Sequence, residues 1–126
     1  MRRFIFVLVL VLSTSGLFAT EYKKTYEKKN VYKDLFLYMF EMYEDNELLG
    51  YRIDTKQRPN YYKYIECTVV SGDKKEIMKL LSGLIDCDNN DYYKYISNYP
   101  GLTFLSDDYT SDGLDKITER YCYQIK

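Results

Sequence analysis

The sequence predicts a mainly α protein, a small helical domain of about four or five short helices that follows a signal peptide. Three observations favour this fold class. Apolar residues recur at helical spacing over residues 31–49, and they do so again over residues 74–86. Asp73 stands where the N-terminal cap of the helix at 74–86 is needed, and Asp112 where the cap of a last helix from 113 is needed.

The first 19 residues have the features of a cleavable secretory signal. Arg2 and Arg3 supply positive charge, an unbroken apolar run covers residues 4–12, and Ala19 is a small residue suited to the cleavage point. The apolar run is about half as long as the roughly 20 residues that a membrane-spanning helix needs. We therefore expect cleavage after Ala19, no stable membrane anchor after cleavage, and a single small globular domain over residues 20–126 that is secreted or periplasmic.

The first part of this domain is predicted to contain one long helix. Residues 20–30 are charged and polar and are expected to be a frayed lead-in. Residues 31–49 fit an amphipathic helix that ends at Gly50, and residues 51–60 are expected to be a linker. The inward face of this helix would comprise Tyr32, Leu35, Phe36, Met39, Met42 and Tyr43.

The segment 61–70 fits two structures. Its β-branched and aromatic residues favour a strand. Pro59 just before it and the spacing of Tyr62, Ile65 and Val69 favour a helix instead. The alternative fold class is therefore α+β, with a strand at 61–70 and a short strand at 102–105.

Three more helices are predicted after this segment. Residues 74–86 form the first, capped by Asp73, with inward residues Ile77, Leu80, Leu81 and Leu84. A short helix is predicted at residues 92–96, capped by Asn90 or Asp91. The last is predicted to run from 113 to about 121 behind Asp112.

Cys67, Cys87 and Cys122 are disulfide candidates, because an exported chain meets an oxidising compartment. An odd number of cysteines allows at most one internal bridge, so the third thiol either stays free or joins another chain in a covalent dimer. A Cys67–Cys87 bridge is feasible only if 61–70 is a strand, because a helical pair would hold the two residues too far apart. A bridge to Cys122 is compatible with a helical bundle.

The stretch 108–119 partly matches a calcium-binding loop. Its oxygen-bearing candidates are Asp108, Thr110, Asp112 and Glu119, and Gly113 stands at the sixth position. Thr110 replaces the usual carboxylate or amide, and no clean entering helix precedes the loop. A calcium-dependent binding module is therefore an alternative function, and the simpler interpretation is that Asp112 caps a helix.

Composition narrows the classes of function. The 18 basic and 19 acidic residues give a net charge of −1, so nucleic-acid binding, which needs a strongly basic face, is not expected. The chain has no histidine, which removes Ser-His-Asp and Cys-His catalysis and most zinc sites. A pair of carboxylates can still act as acid and base, so a small secreted hydrolase is an alternative. No cofactor and no particular catalytic residue is predicted.

Tyrosine is the most distinctive residue of the chain, which contains 16 of them. Tyrosine provides a large contact area at a low cost in conformational entropy, although the same side chains also serve core packing. The preferred function is therefore an exported, non-enzymatic binding or interaction protein that contacts a protein partner through a tyrosine-rich surface. The candidates for that surface are Tyr61, Tyr62, Tyr64, Tyr92, Tyr93 and Tyr95.

Overall fold

The computed structural model describes residues 20–30, 34–87, 91–113 and 116–125. These residues form a six-stranded sheet and two helices. In chain order the elements are β1 (Glu21–Asn30), β2 (Leu35–Glu44), β3 (Glu47–Asn60), β4 (Lys63–Ser71), α1 (Lys74–Ile85), α2 (Tyr92–Ser97), β5 (Leu102–Ser111) and β6 (Ile117–Ile125). The predicted signal segment, residues 1–19, lies outside the described residues.

The sheet has the strand order β1-β2-β3-β4-β6-β5. All neighbouring strands are antiparallel except β4 and β6, which are parallel. The chain leaves β4 through α1 and α2, reaches the far edge of the sheet as β5, and returns as β6 to fill the place beside β4. Strands β1 and β5 are therefore the two edges of the described sheet.

Both helices pack on the same face of the sheet, which we call the helix-covered face. Side chains alternate between the two faces along a strand, and the buried positions of the central strands follow this alternation. The core joins Leu37, Ile53 and Val69 of the sheet to Leu80 of α1 and Ile96 of α2, all of them fully buried. No helix covers the opposite face in the described part of the chain, and we call it the open face.

The mainly α prediction is wrong, because the protein is mostly β-sheet. The largest error concerns residues 31–49, of which 35–44 form β2 and 47–49 begin β3. Residues 35–40 are apolar at every position, so they satisfy a helical and a strand pattern equally well. In the structure, Leu35, Leu37 and Met39 face the helices, and the aromatic residues between them lie on the open face.

A two-residue turn, Asp45–Asn46, joins β2 to β3. Both residues have positive φ angles, 51° and 65°, as the tight hairpin turns of antiparallel strands require. Gly50, which the sequence suggested as a helix end, lies inside β3. A Cβ atom there would approach the Ser71 carbonyl oxygen to 2.8 Å, so glycine is needed for the close contact between β3 and β4.

Three other segments also differ from the helical prediction. The expected lead-in at 20–30 is β1, the expected linker at 51–60 belongs to β3, and residues 117–121 of the last predicted helix belong to β6. The α+β alternative is closer to the structure. Its strand at 61–70 corresponds to β4, and its short strand at 102–105 is the beginning of β5, which continues to Ser111.

The two helices predicted between β4 and β5 are confirmed by the structure. Asp73 caps α1 by accepting a hydrogen bond from the Lys75 backbone N–H at 2.9 Å. Asp91 caps α2 by accepting one from the Lys94 N–H at 3.2 Å. The predicted inward residues of α1, Ile77, Leu80, Leu81 and Leu84, are all buried.

Candidate functional site

The β3–β4 hairpin presents two neighbouring aromatic side chains to solvent. Tyr61 and Tyr62 form its tip and are 71% and 55% exposed. The Asn60 side chain accepts a hydrogen bond from the Tyr62 backbone N–H at 2.9 Å, which is the local turn that asparagine favours. The two rings pack edge to face with their centroids 5.0 Å apart. The two exposed rings therefore support each other at the hairpin tip.

Arg58, near the end of β3, contacts the hairpin tip through hydrogen bonds and cation–π interactions. Its guanidinium donates to the Asp34 carboxylate at 2.8 Å and to the Tyr61 carbonyl oxygen at 3.1 Å. It also lies 5.5 Å from the centroid of the Tyr61 ring and 5.2 Å from that of Tyr64, within the range of cation–π attraction. We call Asp34, Arg58, Tyr61, Tyr62 and Tyr64 the tyrosine–arginine corner.

The tyrosine–arginine corner is also tied to the other half of the sheet. The Ile117 backbone N–H, at the start of β6, donates to the Tyr62 carbonyl oxygen at 2.9 Å. The hydrogen bond that Arg58 donates to the Asp34 carboxylate raises the pKa of Arg58, so the guanidinium remains charged throughout the physiological range. Tyr61 and Tyr62 therefore project from a well-braced hairpin.

The second tyrosine cluster has a different environment. Tyr92 is 1% exposed and belongs to the core. Tyr93 and Tyr95 are half-buried at the contact between α2 and its neighbours, where Tyr93 packs against Tyr121 at 4.8 Å. Of the six predicted contact residues, Tyr61 and Tyr62 are thus the two that are largely exposed.

Sequence reasoning missed Arg58 and Asp34, which complete the corner. The two residues lie 24 positions apart in the chain and meet only because β2 and β3 pair. A signal for the turn itself was present, since Pro59 and Asn60 directly precede the tyrosine pair.

The calcium-loop candidates do not form a common site. Asp108 and Thr110 lie on the open face of β5, where Arg120 of β6 contacts both, at 3.8 Å and 3.4 Å. Glu119 lies on the other face of β6 and binds Lys63 at 3.2 Å. Asp112 lies in the β5–β6 turn and accepts from the Lys116 N–H at 3.3 Å. Within the described residues, no group of three or more Asp, Glu, Cys or His side chains is placed to hold a metal ion.

Within the described residues, none of the three cysteines forms a disulfide. Cys67 points from β4 into the core, and burial raises the pKa of its thiol to about 12. Cys122 pairs with Thr68 on the neighbouring strand and so faces the open side of the sheet. Cys87 follows α1 and packs against the edge of the core. The predicted disulfide stays a prediction.

The carboxylates give no specific support to acid–base catalysis. A general acid needs a raised pKa, whereas the two described carboxylates with a shifted pKa, Glu27 and Glu119, have it lowered. For Glu27 the main cause is the hydrogen bond from Lys24, and for Glu119 it is the hydrogen bond from the Tyr121 hydroxyl at 2.6 Å.

The fold and the corner together define the class of protein: a two-layer α+β domain that displays a braced aromatic corner at one end of its sheet. No protein-family model matches the chain, and no curated protein or solved structure is significantly similar to it. Among the described helices, none combines the length and the apolar character needed to cross a membrane.

Proposed function

We propose that this protein is an exported, non-enzymatic binding protein that contacts a protein partner through the tyrosine–arginine corner. The observation that carries the proposal is the pair of exposed rings at Tyr61 and Tyr62, mounted on a hairpin that Arg58 braces. Export rests on the signal features of residues 1–19, and it places the protein outside the cell or in the periplasm.

The chemistry of the corner suits protein recognition. Tyrosine and arginine are enriched among the residues that contribute most binding energy at protein interfaces. A tyrosine side chain loses little entropy on binding, and less still when its ring is already packed against a neighbour, as Tyr61 is against Tyr62. The corner would therefore bind with little further ordering.

Photo-cross-linking in the native host tests the proposal. A photoreactive amino acid replaces Tyr61 in one variant and Leu49 in a matched control. Leu49 is also exposed, at 50%, but it lies at the start of β3, at the opposite end of that strand from the corner. We expect position 61, and not position 49, to cross-link to a discrete protein that mass spectrometry then identifies.

Titration with the identified protein completes the test. The double variant Y61A/Y62A should bind at least about tenfold more weakly, a loss of about 1.4 kcal/mol or more. The Leu49→Ala variant should bind like the unmodified protein. Equal affinities for Y61A/Y62A and the unmodified protein would contradict the proposal, as would equal cross-linking at both positions.

A further inference from the structure

The two edges of the sheet carry opposite charge. β1 contains four lysines and two glutamates, whereas β5 contains two aspartates and no basic residue. Both strands are 10 residues long. Within the described residues no other strand pairs with the outer side of either one, so the backbone groups along each edge are able to pair with another strand.

The directions of the two edge strands are compatible with pairing between copies. Three antiparallel steps separate β1 from β4, and one parallel and one antiparallel step separate β5 from β4. β1 and β5 therefore run the same way. A second copy, placed beside the first with its open face on the same side, brings its β1 parallel to β5 of the first.

On each face of the sheet, a lysine of β1 and an aspartate of β5 are placed to meet across the junction between two copies. Lys24 lies over the Tyr38 ring on the open face, and Asp108 faces Arg120 on the same side of the sheet. Lys23 and Asp107 are the preceding residues and so point to the other side. Setting Lys24 beside Asp108 thus sets Lys23 beside Asp107. Lys24 also forms an ion pair with Glu27 of its own strand, but its side chain stays about half exposed. In the second lysine pair of β1, Lys28 donates to the Ile85 carbonyl oxygen at the end of α1.

Pairing between like edges is disfavoured by the same charges. Two β5 edges would bring together Asp107 and Asp108 of both copies without a cation on either strand, and two β1 edges would bring together eight lysines and four glutamates. Like charges on neighbouring strands destabilise a sheet, whereas opposite charges stabilise it. The edges thus select the unlike pair.

We propose that copies of this protein associate head to tail, with β1 of one copy adding to β5 of the next through Lys23–Asp107 and Lys24–Asp108 contacts. The resulting oligomer keeps a free β1 edge at one end and a free β5 edge at the other. Such an interface is heterologous and does not close on itself, so it produces a series of oligomers instead of a closed dimer. The association is independent of the tyrosine–arginine corner.

Sedimentation velocity of the exported protein tests this proposal. The measurement runs from micromolar to near-millimolar protein, at low and at high salt, with a reducing agent that removes covalent dimers. We expect the weight-average sedimentation coefficient to rise continuously with concentration at low salt. High salt should suppress the rise, because it screens exposed charges.

Charge-reversal variants make the test specific. D107K/D108K has two basic edges and K23D/K24D has two acidic edges, so each alone should associate at least about tenfold more weakly, or by about 1.4 kcal/mol. An equimolar mixture of the two variants has complementary edges again and should recover association. Circular dichroism checks that both variants are folded.

Three outcomes would overturn the proposal. The first is an unmodified protein that stays monomeric at the highest concentration in low salt. The second is association that neither variant weakens. The third is a mixture of folded variants that associates no better than each variant alone.

Discussion

At the scale of single residues, Gly83 shows how a position on α1 depends on a side chain from α2. A Cβ atom at Gly83 would come within 1.8 Å of the Tyr95 hydroxyl oxygen and within 2.5 Å of its Cζ atom. The Tyr95 ring therefore occupies the space that any other residue at position 83 would need. It also packs against Tyr99, with the ring centroids 5.9 Å apart.

We expect Gly83→Ala to have opposite effects in two backgrounds. In an otherwise unmodified protein the new methyl group displaces the Tyr95 ring, and we expect a loss of about 1 kcal/mol of unfolding free energy, because overpacking outweighs the better helix propensity of alanine. In a Y95A background the space is open, and the same change should stabilise by about 0.5–1 kcal/mol. Urea unfolding of the four proteins measures the coupling. An identical effect of Gly83→Ala in both backgrounds would refute this account.

At the scale of elements, α2 is attached to the sheet by a buried amide. Gln57 of β3 is 8% exposed. Its side-chain N–H₂ donates to the Asp91 carboxylate at 3.1 Å, and its side-chain oxygen accepts from the Tyr93 backbone N–H at 2.9 Å. The Gln57 side chain thus hydrogen-bonds both the cap residue and a backbone N–H of the first turn of α2. This helix has only six residues and is too short to be stable alone.

Gln57→Leu should therefore release α2. Loss of both hydrogen bonds leaves buried polar groups without a partner, and we expect a cost of about 2 kcal/mol in unfolding free energy. Amide hydrogen exchange should accelerate in α2 more than in α1. Gln124→Leu, at an exposed position of β6, is the matched control and should change stability by no more than about 0.5 kcal/mol. Equal stabilities of the two variants would rule out this role for Gln57.

The elements differ in how well the sequence predicted them. α1 and α2 have local signals, namely a capping aspartate and, in α1, four leucine or isoleucine residues at helical spacing, so both were predicted with their caps. β2 was misread because Leu35 to Phe40 are all apolar, and its strand pattern appears only when one face is covered by helices and the other is not. β1 carries few apolar residues, and its pairing with β2 is what makes it a strand.

Only part of the candidate site was predicted, because the rest depends on contacts between distant parts of the chain. Tyr61 and Tyr62 could be proposed as contact residues because they are neighbours in the chain and tyrosine suits interfaces. Tyr92 was proposed on the same grounds and lies in the core, because the inward face of α2 depends on how that helix meets the sheet. The Arg58–Asp34 contact depends on strand pairing, which no local pattern encodes.

At the scale of the whole molecule, an ion pair joins the two halves of the sheet near the tyrosine–arginine corner, and a tyrosine hydroxyl of the same strand hydrogen-bonds to its carboxylate. Glu119 of β6 binds Lys63 of β4 at 3.2 Å and accepts from the Tyr121 hydroxyl at 2.6 Å. The Tyr121 hydrogen bond is the larger cause of the lowered pKa of Glu119, and Lys63 adds to it. Because its pKa is lower in the folded state, Glu119 stabilises the fold above the ordinary carboxyl pKa of 4.5.

This stabilisation should disappear in acid. It is complete at neutral pH and is lost as the pH falls through the lowered pKa of the folded state. We expect Glu119→Gln to lower the melting temperature at pH 7, with a cost of no more than about 1 kcal/mol since the pair is partly exposed. The variant should also lose less stability than the unmodified protein between pH 5 and pH 2.

Two further variants sharpen this experiment. Tyr121→Phe should raise the pKa of Glu119 towards the ordinary value, which NMR titration of the carboxyl group would detect. Glu47→Gln, at an exposed position at the start of β3, is the control and should leave the acid dependence of the melting temperature unchanged. If the melting temperature of Glu119→Gln falls in acid as steeply as that of Glu47→Gln, Glu119 does not contribute to the acid dependence of stability.

The parallel pairing of β4 with β6 has a consequence for the order of folding. Strands β1 to β4 follow one another closely in the sequence, so their pairing needs little loop closure. Glu66 and Arg120, by contrast, are 54 residues apart in the chain. The segment between them contains both helices and β5, so a long loop must close before they meet. Since distant contacts form more slowly than local ones, the four-stranded meander should assemble first. The return of the C-terminal hairpin to β4 should then set the rate at which the native protein appears.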